Sequence, residues 1–187
     1  MDNKIDPTAI VSPMAIIGDR NTIGAYTVIG PDVVIGDDNY IGPFVCIGEP
    51  GEYRNPPEDR KQGKIIIGSR NRISEFVSIQ MPVLTGCTNI DDDCYIMDKC
   101  HIAHDCDVGN FVTMAPLTSL GGYVTICEYA NIGQGVIVHP RRTIGEGAMI
   151  GMNATVTKDV PAWQTWIGTP ARYMCENERG KKKYLKQ

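Results

Sequence analysis

The chain contains three histidines, His101, His104 and His139. Imidazole titrates near neutrality, with an unperturbed pKa of about 6.5, so it can take a proton from an attacking hydroxyl or amine. Asp105 follows His104 directly and is a carboxylate able to orient it. Acyl transfer also needs a donor for the oxyanion of the tetrahedral intermediate, and a glycine backbone N–H can serve. The seven cysteines are an odd number with no Cys-x-x-Cys pair, which argues against a complete disulfide framework or a four-thiolate zinc site. Reduced thiols are expected.

What must position these groups is a six-residue repeat. Every sixth residue from the start is aliphatic: Ile5, Val11, Ile17, Ile23, Ile29, Ile35, Ile41 and Ile47. The phase resumes at Ile67, Ile73 and Ile79, slips once, and runs from Ile90 to Val156. Six fits neither a 3.6-residue helix nor a two-residue alternation, but it fits short strands joined by turns at the corners of a coil. The 20 glycines, 12 prolines and few aromatics agree with many short strands and little helix. Glycines following the aliphatic position, such as Gly18, Gly24 and Gly36, are expected to permit turn conformations. Cys94, Cys100 and Cys106 also fall six apart, where other repeats carry Thr, Val or Asn, and read as small packing residues.

Two stretches break the repeat, Glu49 to Lys64 and Gln80 to Asn89. The first is rich in proline and charge and is expected to protrude as a loop. The predicted organisation is a β-helix over residues 1–162, with the loop at 49–64, and a C-terminal extension over 163–187. Three hexapeptides per coil would stack residues 18 apart at about 4.8 Å. Gly122 then lies above His104, and His139 lies above Gly121 and Ala103. His101 sits one turn of chain earlier, so the three histidines gather along one edge.

The net charge of −4 gives no global reason to expect nucleic acid as a partner. No run of 18 apolar residues and no signal-like start is present, so a soluble cytoplasmic protein without membrane contact is expected. A solenoid's ends and one lateral face need cover, which oligomerisation supplies.

The string from His101 to Asn110, His-Ile-Ala-His-Asp-Cys-Asp-Val-Gly-Asn, closely resembles the active-site segment of the UDP-N-acetylglucosamine acyltransferases that begin lipid A synthesis. The similarity runs from the first coil to about Val160 and includes Ile67 to Ile73, Leu120 to Val124 and Val138-His139. This resemblance implies a mainly β protein, a left-handed parallel β-helix forming a homotrimer with active sites between subunits. It implies His104 as general base, His101 and His139 as pocket residues and Gly122 as oxyanion donor. Glu52-Tyr53-Arg54 is similar to the family's acid-x-base pattern for the acceptor sugar, after a one-residue shift. The chain departs from the family at Tyr123, where a histidine is usual, and at Pro140, and the family's helical C-terminal domain is expected to be absent.

The end of the chain, Asp159-Val-Pro161 and then Trp166 to Arg172, resembles instead the closing segment of hexapeptide acetyltransferases that use acetyl-CoA. There a Gly-x-Pro-Ala turn, here starting at Gly168, lies near the coenzyme. Arg172 and Lys158, with Arg141 and Arg142 behind them, are candidate contacts for its phosphates, because guanidinium pairs well with phosphate. The leading expectation is an acetyl-CoA-dependent N-acetyltransferase acting on a nucleotide-linked amino sugar for surface polysaccharide or glycoconjugate synthesis, with no metal. The alternatives are a lipid A-type O- or N-acyltransferase taking its acyl group from acyl carrier protein, a zinc carbonic anhydrase-like β-helix, and a non-catalytic scaffold.

Overall fold

The structure is a computed structural model that describes residues 2–56, 58 and 63–185. It is a parallel β-helix, left-handed, with one protruding loop and a short C-terminal tail, as expected. The described residues form three flat sheets of ten, eight and seven strands. The chain visits them in rotation: Thr22–Ile23 lies in the first, Val28–Ile29 in the second and Val33–Ile35 in the third. Most strands are two residues long, one side chain pointing out and the next inward. The inward residues are the repeat aliphatics, and from Ile23 onward they form one buried stack through Val156. At the open lower end Ile5 stays 45% exposed, since no coil covers it.

The turns carry a device that the repeat alone did not reveal. The third residue after most inward aliphatics adopts a left-handed conformation: 17 non-glycine residues, from Arg20 to Trp163, have φ between 56° and 64°. The glycines after the aliphatic position mostly do not, so the conformational reason given for them is corrected. Gly24 is small because of the coil above: a Cβ there would lie 2.6 Å from the Pro43 nitrogen. One coil's backbone therefore presses on the next.

A buried polar column runs up the inside of one corner. Asn39 donates to Asn21 Oδ1 at 3.0 Å, and the backbone N–H groups of Asn39, Asn71 and Cys94 donate to the asparagine one coil below. Asn21 and Asn39 also donate across the turn to the carbonyls of Gly36 and Gly68. Cys94, Cys100 and Cys106 occupy the equivalent corner positions and direct their Sγ atoms at the carbonyls of Gly109, Ala115 and Gly121, at 3.1, 3.2 and 3.3 Å. Their packing role is thereby explained.

The first interruption joins strands Cys46–Glu49 and Lys64–Ile67; the part of it at 57 and 59–62 lies outside the described residues. The second is a tight connection from Ser78–Gln80 to Cys87–Ile90. Beyond residue 162, Gln164–Ile167 pairs in parallel with Met149–Ile150, and Arg172–Glu176 returns antiparallel to it. A short helix, Glu178–Tyr184, ends the tail, with Asn177 capping it by accepting from the Gly180 N–H at 3.0 Å. No helix of the described residues is long and apolar enough to cross a membrane.

Candidate active site

His104 and Asp105 lie at the corner between the second and third sheets, between strands His101–Ile102 and Asp107–Val108. Asp105 takes the left-handed corner conformation, φ 59°, and its carboxylate faces the coil below. There it meets the connection 81–86. The carboxylate accepts from the backbone N–H groups of Val83, Leu84 and Thr85 at 2.9, 3.0 and 2.6 Å, and from Thr85 Oγ1 at 2.7 Å. His104 Nδ1 is the remaining partner, at 2.7 Å. Burial alone would raise the Asp105 pKa, but these donors, Thr85 foremost, outweigh it and hold the carboxylate at about 2. A permanently ionised Asp105 fixes the tautomer of His104: Nδ1 carries the proton and Nε2 keeps its lone pair.

His104 is 7% exposed and Asp105 6%, although the repeat placed both outside the aliphatic register. The protruding loop covers them. Gly51 lies so close that a Cβ on it would be 2.7 Å from the His104 Cβ. Tyr53 meets the imidazole edge-on, ring centroids 5.7 Å apart, and Tyr123 does so at 5.1 Å. Arg141, one coil further up, sits 4.2 Å above the Tyr123 ring.

Gly122 stands over His104, as the 18-residue stacking predicted. A Cβ there would lie 2.6 Å from His104 Cε1 and 2.7 Å from Nε2, so the missing side chain makes room for the imidazole. The Gly122 carbonyl accepts from Arg141, and its N–H donates to no backbone carbonyl among the described residues. The imidazole thus packs against the Gly122 backbone, whose N–H is not taken up by a backbone carbonyl among the described residues. That pairing can remove a proton from a nucleophile and hold an oxyanion.

His101 is half-buried on the second sheet, with Nδ1 2.8 Å from Ser78 Oγ. Burial pushes its pKa below the ordinary value, against the opposing pull of the Glu52 carboxylate and alongside the repulsion from His104. Glu52 is therefore near enough to act on His101 electrostatically, and Arg54 is exposed in the loop. His139 is exposed near Pro140, Nδ1 3.1 Å from the Pro140 carbonyl, two coils above Ala103. Among the described residues no group of three or more His, Cys, Asp or Glu is placed to hold a metal ion.

The tail residues lie apart from His104. The turn from Gly168 to Ala171 docks on the last strand of the second sheet, where Thr155 donates to Gly168 and accepts from Ala171. Arg172 is exposed and donates to the neighbouring Ala171 carbonyl, Lys158 is exposed, and Arg142 pairs with Asp159 at 3.3 Å. Ser78 and the 83–85 segment were missed by sequence reading. Their signal was hidden by the phase slip between Ile79 and Ile90, which obscures what faces His101 and Asp105.

The comparisons with known proteins fit this picture. The family model "Bacterial transferase hexapeptide (six repeats)" matches residues 14–49. An acyl-[acyl-carrier-protein]–UDP-N-acetylglucosamine O-acyltransferase from Thermodesulfovibrio yellowstonii is 36% identical over 128 residues, covering 63% of this chain and 48% of that protein. One from Syntrophobacter fumaroxidans is 38% identical over 187 residues, covering 97% of this chain and 66% of that protein. The chain thus spans about half the length of the first and just under two thirds of the second. The solved UDP-N-acetylglucosamine acyltransferase of Bacteroides fragilis superposes with a TM-score of 0.85 at 26% identity, covering 96% of this chain and 77% of that one. The chain carries the hexapeptide repeat of bacterial transferases over residues 14–49 and resembles the hexapeptide-repeat acyltransferases, the UDP-N-acetylglucosamine acyltransferases among them.

Proposed function

We propose that this protein transfers an acyl group from a thioester to a nucleotide-linked sugar, with His104 as general base. The observation that carries the reading is the His104–Asp105 pair, 2.7 Å apart, with Nε2 facing the Gly122 backbone. Nε2 takes the proton of a sugar hydroxyl or amine as that atom attacks the thioester carbonyl carbon. The carbonyl oxygen gains the negative charge and is held by the Gly122 N–H. The intermediate collapses with cleavage of the C–S bond, and the departing sulfur takes the proton back from His104. No residue is acylated, since two substrates held in one cleft react by proximity. His101, Glu52, Tyr123, His139 and Arg54 bind the sugar nucleotide, and sites lie between subunits of a homotrimer.

The names of the relatives support UDP-N-acetylglucosamine as acceptor, its hydroxyl as nucleophile and acyl carrier protein as donor, ahead of the amine and acetyl-CoA expected from the tail. Acetyl-CoA with an amino sugar is the second reading. It is favoured by the Gly168 to Ala171 turn docked on the sheet that carries His101, with Lys158, Gly168 and Arg172 as coenzyme contacts. The test is an assay of UDP-N-acetylglucosamine and nucleotide-linked amino sugars, each with an acyl carrier protein thioester and with acetyl-CoA. Transfer from the carrier protein supports the first reading and transfer from acetyl-CoA the second. Absence of transfer with every pair, or full turnover by His104→Ala, overturns the proposal.

A further inference from the structure

A cavity lies on another part of the molecule, away from His104. It has a volume of about 410 Å³ and sits between the tail helix and the first sheet, at the corner joining the third sheet to the first. His104 occupies a different corner, between the second sheet and the third. The size falls in the range of small-molecule sites.

Its walls are of two kinds. Phe111 and Tyr129 are left-handed corner residues one coil apart and stack at 5.2 Å, and Tyr184 of the helix stacks on Tyr129 at 4.6 Å. Phe111 ends this stack and is 43% exposed. The other wall brings Arg179 and Lys183 from the helix, with Asn131 opposite on the sheet. Lys183 Nζ donates to Tyr184 Oη at 2.7 Å, and Arg179 forms no ion pair among the described residues. Among the described residues no acidic side chain lines the cavity, in a chain whose net charge is −4. Two cations set together beside aromatic rings favour a ligand with an aromatic ring and a phosphate: rings stack, and guanidinium and ammonium groups bind phosphate oxygens.

We infer that this cavity binds a nucleoside phosphate, ring against the aromatic wall and phosphate toward Arg179 and Lys183. The inference does not depend on the acyl-transfer reading, because no residue is shared with the His104 site. It is tested by calorimetric titration of the full chain with ADP, adenosine and inorganic phosphate. Expected is saturable binding of ADP, about tenfold or more tighter than either fragment. The double variant Arg179→Ala, Lys183→Ala should weaken ADP binding by about tenfold or more. Asn131→Trp, an exposed position whose new ring would fill the cavity without touching the core, should abolish it with an unchanged circular dichroism spectrum. His104→Ala should leave it unaltered. Absence of saturable ADP binding, undiminished binding in the double variant or in Asn131→Trp, or loss of binding in His104→Ala would overturn the inference.

Discussion

Asp105 accepts from three backbone N–H groups, one hydroxyl and one imidazole, and that concentration of donors makes it the least replaceable side chain at the site. Asp105→Asn would turn an amide toward some of those N–H groups, at a cost of about 1–3 kcal/mol per buried group left unpaired. Both stability and turnover should fall, measured by urea unfolding and by steady-state kinetics. Its pKa of about 2 lies below the unfolded-chain value, so its stabilising contribution is complete above pH 4 and is lost as pH falls from about 4 toward 2. An acid titration followed by circular dichroism should show that loss in the parent and not in Asp105→Asn. His104→Ala should lower turnover by about 10² to 10⁴ with folding intact. Gly122→Ala should also lower turnover, because its Cβ would displace the imidazole it meets at 2.6 Å. His101, with its pKa held down by burial, should stay neutral at pH 7, so protonating it is not what limits activity there.

At the level of the repeating elements, the corner column sets the prediction. Asn71 Nδ2 is buried without a partner among the described residues, unlike the Nδ2 groups of Asn21 and Asn39, which donate to the Gly36 and Gly68 carbonyls of the coil above. Asn71→Cys, which places at this corner the residue found one coil above, removes the unpaired Nδ2 but also the Oδ1 that accepts from the Cys94 N–H, so it should cost no more than about 1–3 kcal/mol in urea unfolding. Asn39→Ala, which strips donors and acceptors from both neighbours, should cost about 1–3 kcal/mol. The thiols of Cys94, Cys100 and Cys106, pushed by burial to about 12, 11 and 12, should resist thiol reagents in the native protein, whereas exposed Cys175 reacts. How far all this could be read from sequence varied with distance along the chain. Ile23 to Val156 declared the coil because its period is local and unbroken within each run. The stacking of Gly122 on His104 followed by arithmetic, since no insertion separates them. The partners of Asp105 and His101 did not, because Thr85 and Ser78 lie across an irregular connection that a fixed period cannot span. Burial of His104 was equally hidden, as it depends on Gly51 and Tyr53 folding back from a loop without periodicity.

For the whole molecule, the proposed arrangement of sites between subunits requires self-association. Light scattering should give three times the chain mass of 20.5 kDa, and a stable monomer would remove that part of the proposal. The coil has one further property that bears on how such a protein can arise. Hydrogen-bonded neighbours in the asparagine column lie 18 residues apart in a plain coil, 23 across the second interruption and 32 across the first. The entropy of closing a loop grows only with the logarithm of its length, so lengthening one closure from 18 to 32 residues costs about 0.5 kcal/mol. Every closure is otherwise short and alike, and the chain can wind one coil at a time as it emerges from the ribosome, without waiting for distant segments. The covering loop over His104 is therefore nearly free to be exchanged, lengthened or rewritten, and new acceptors can be tried on an old base without unwinding the spool.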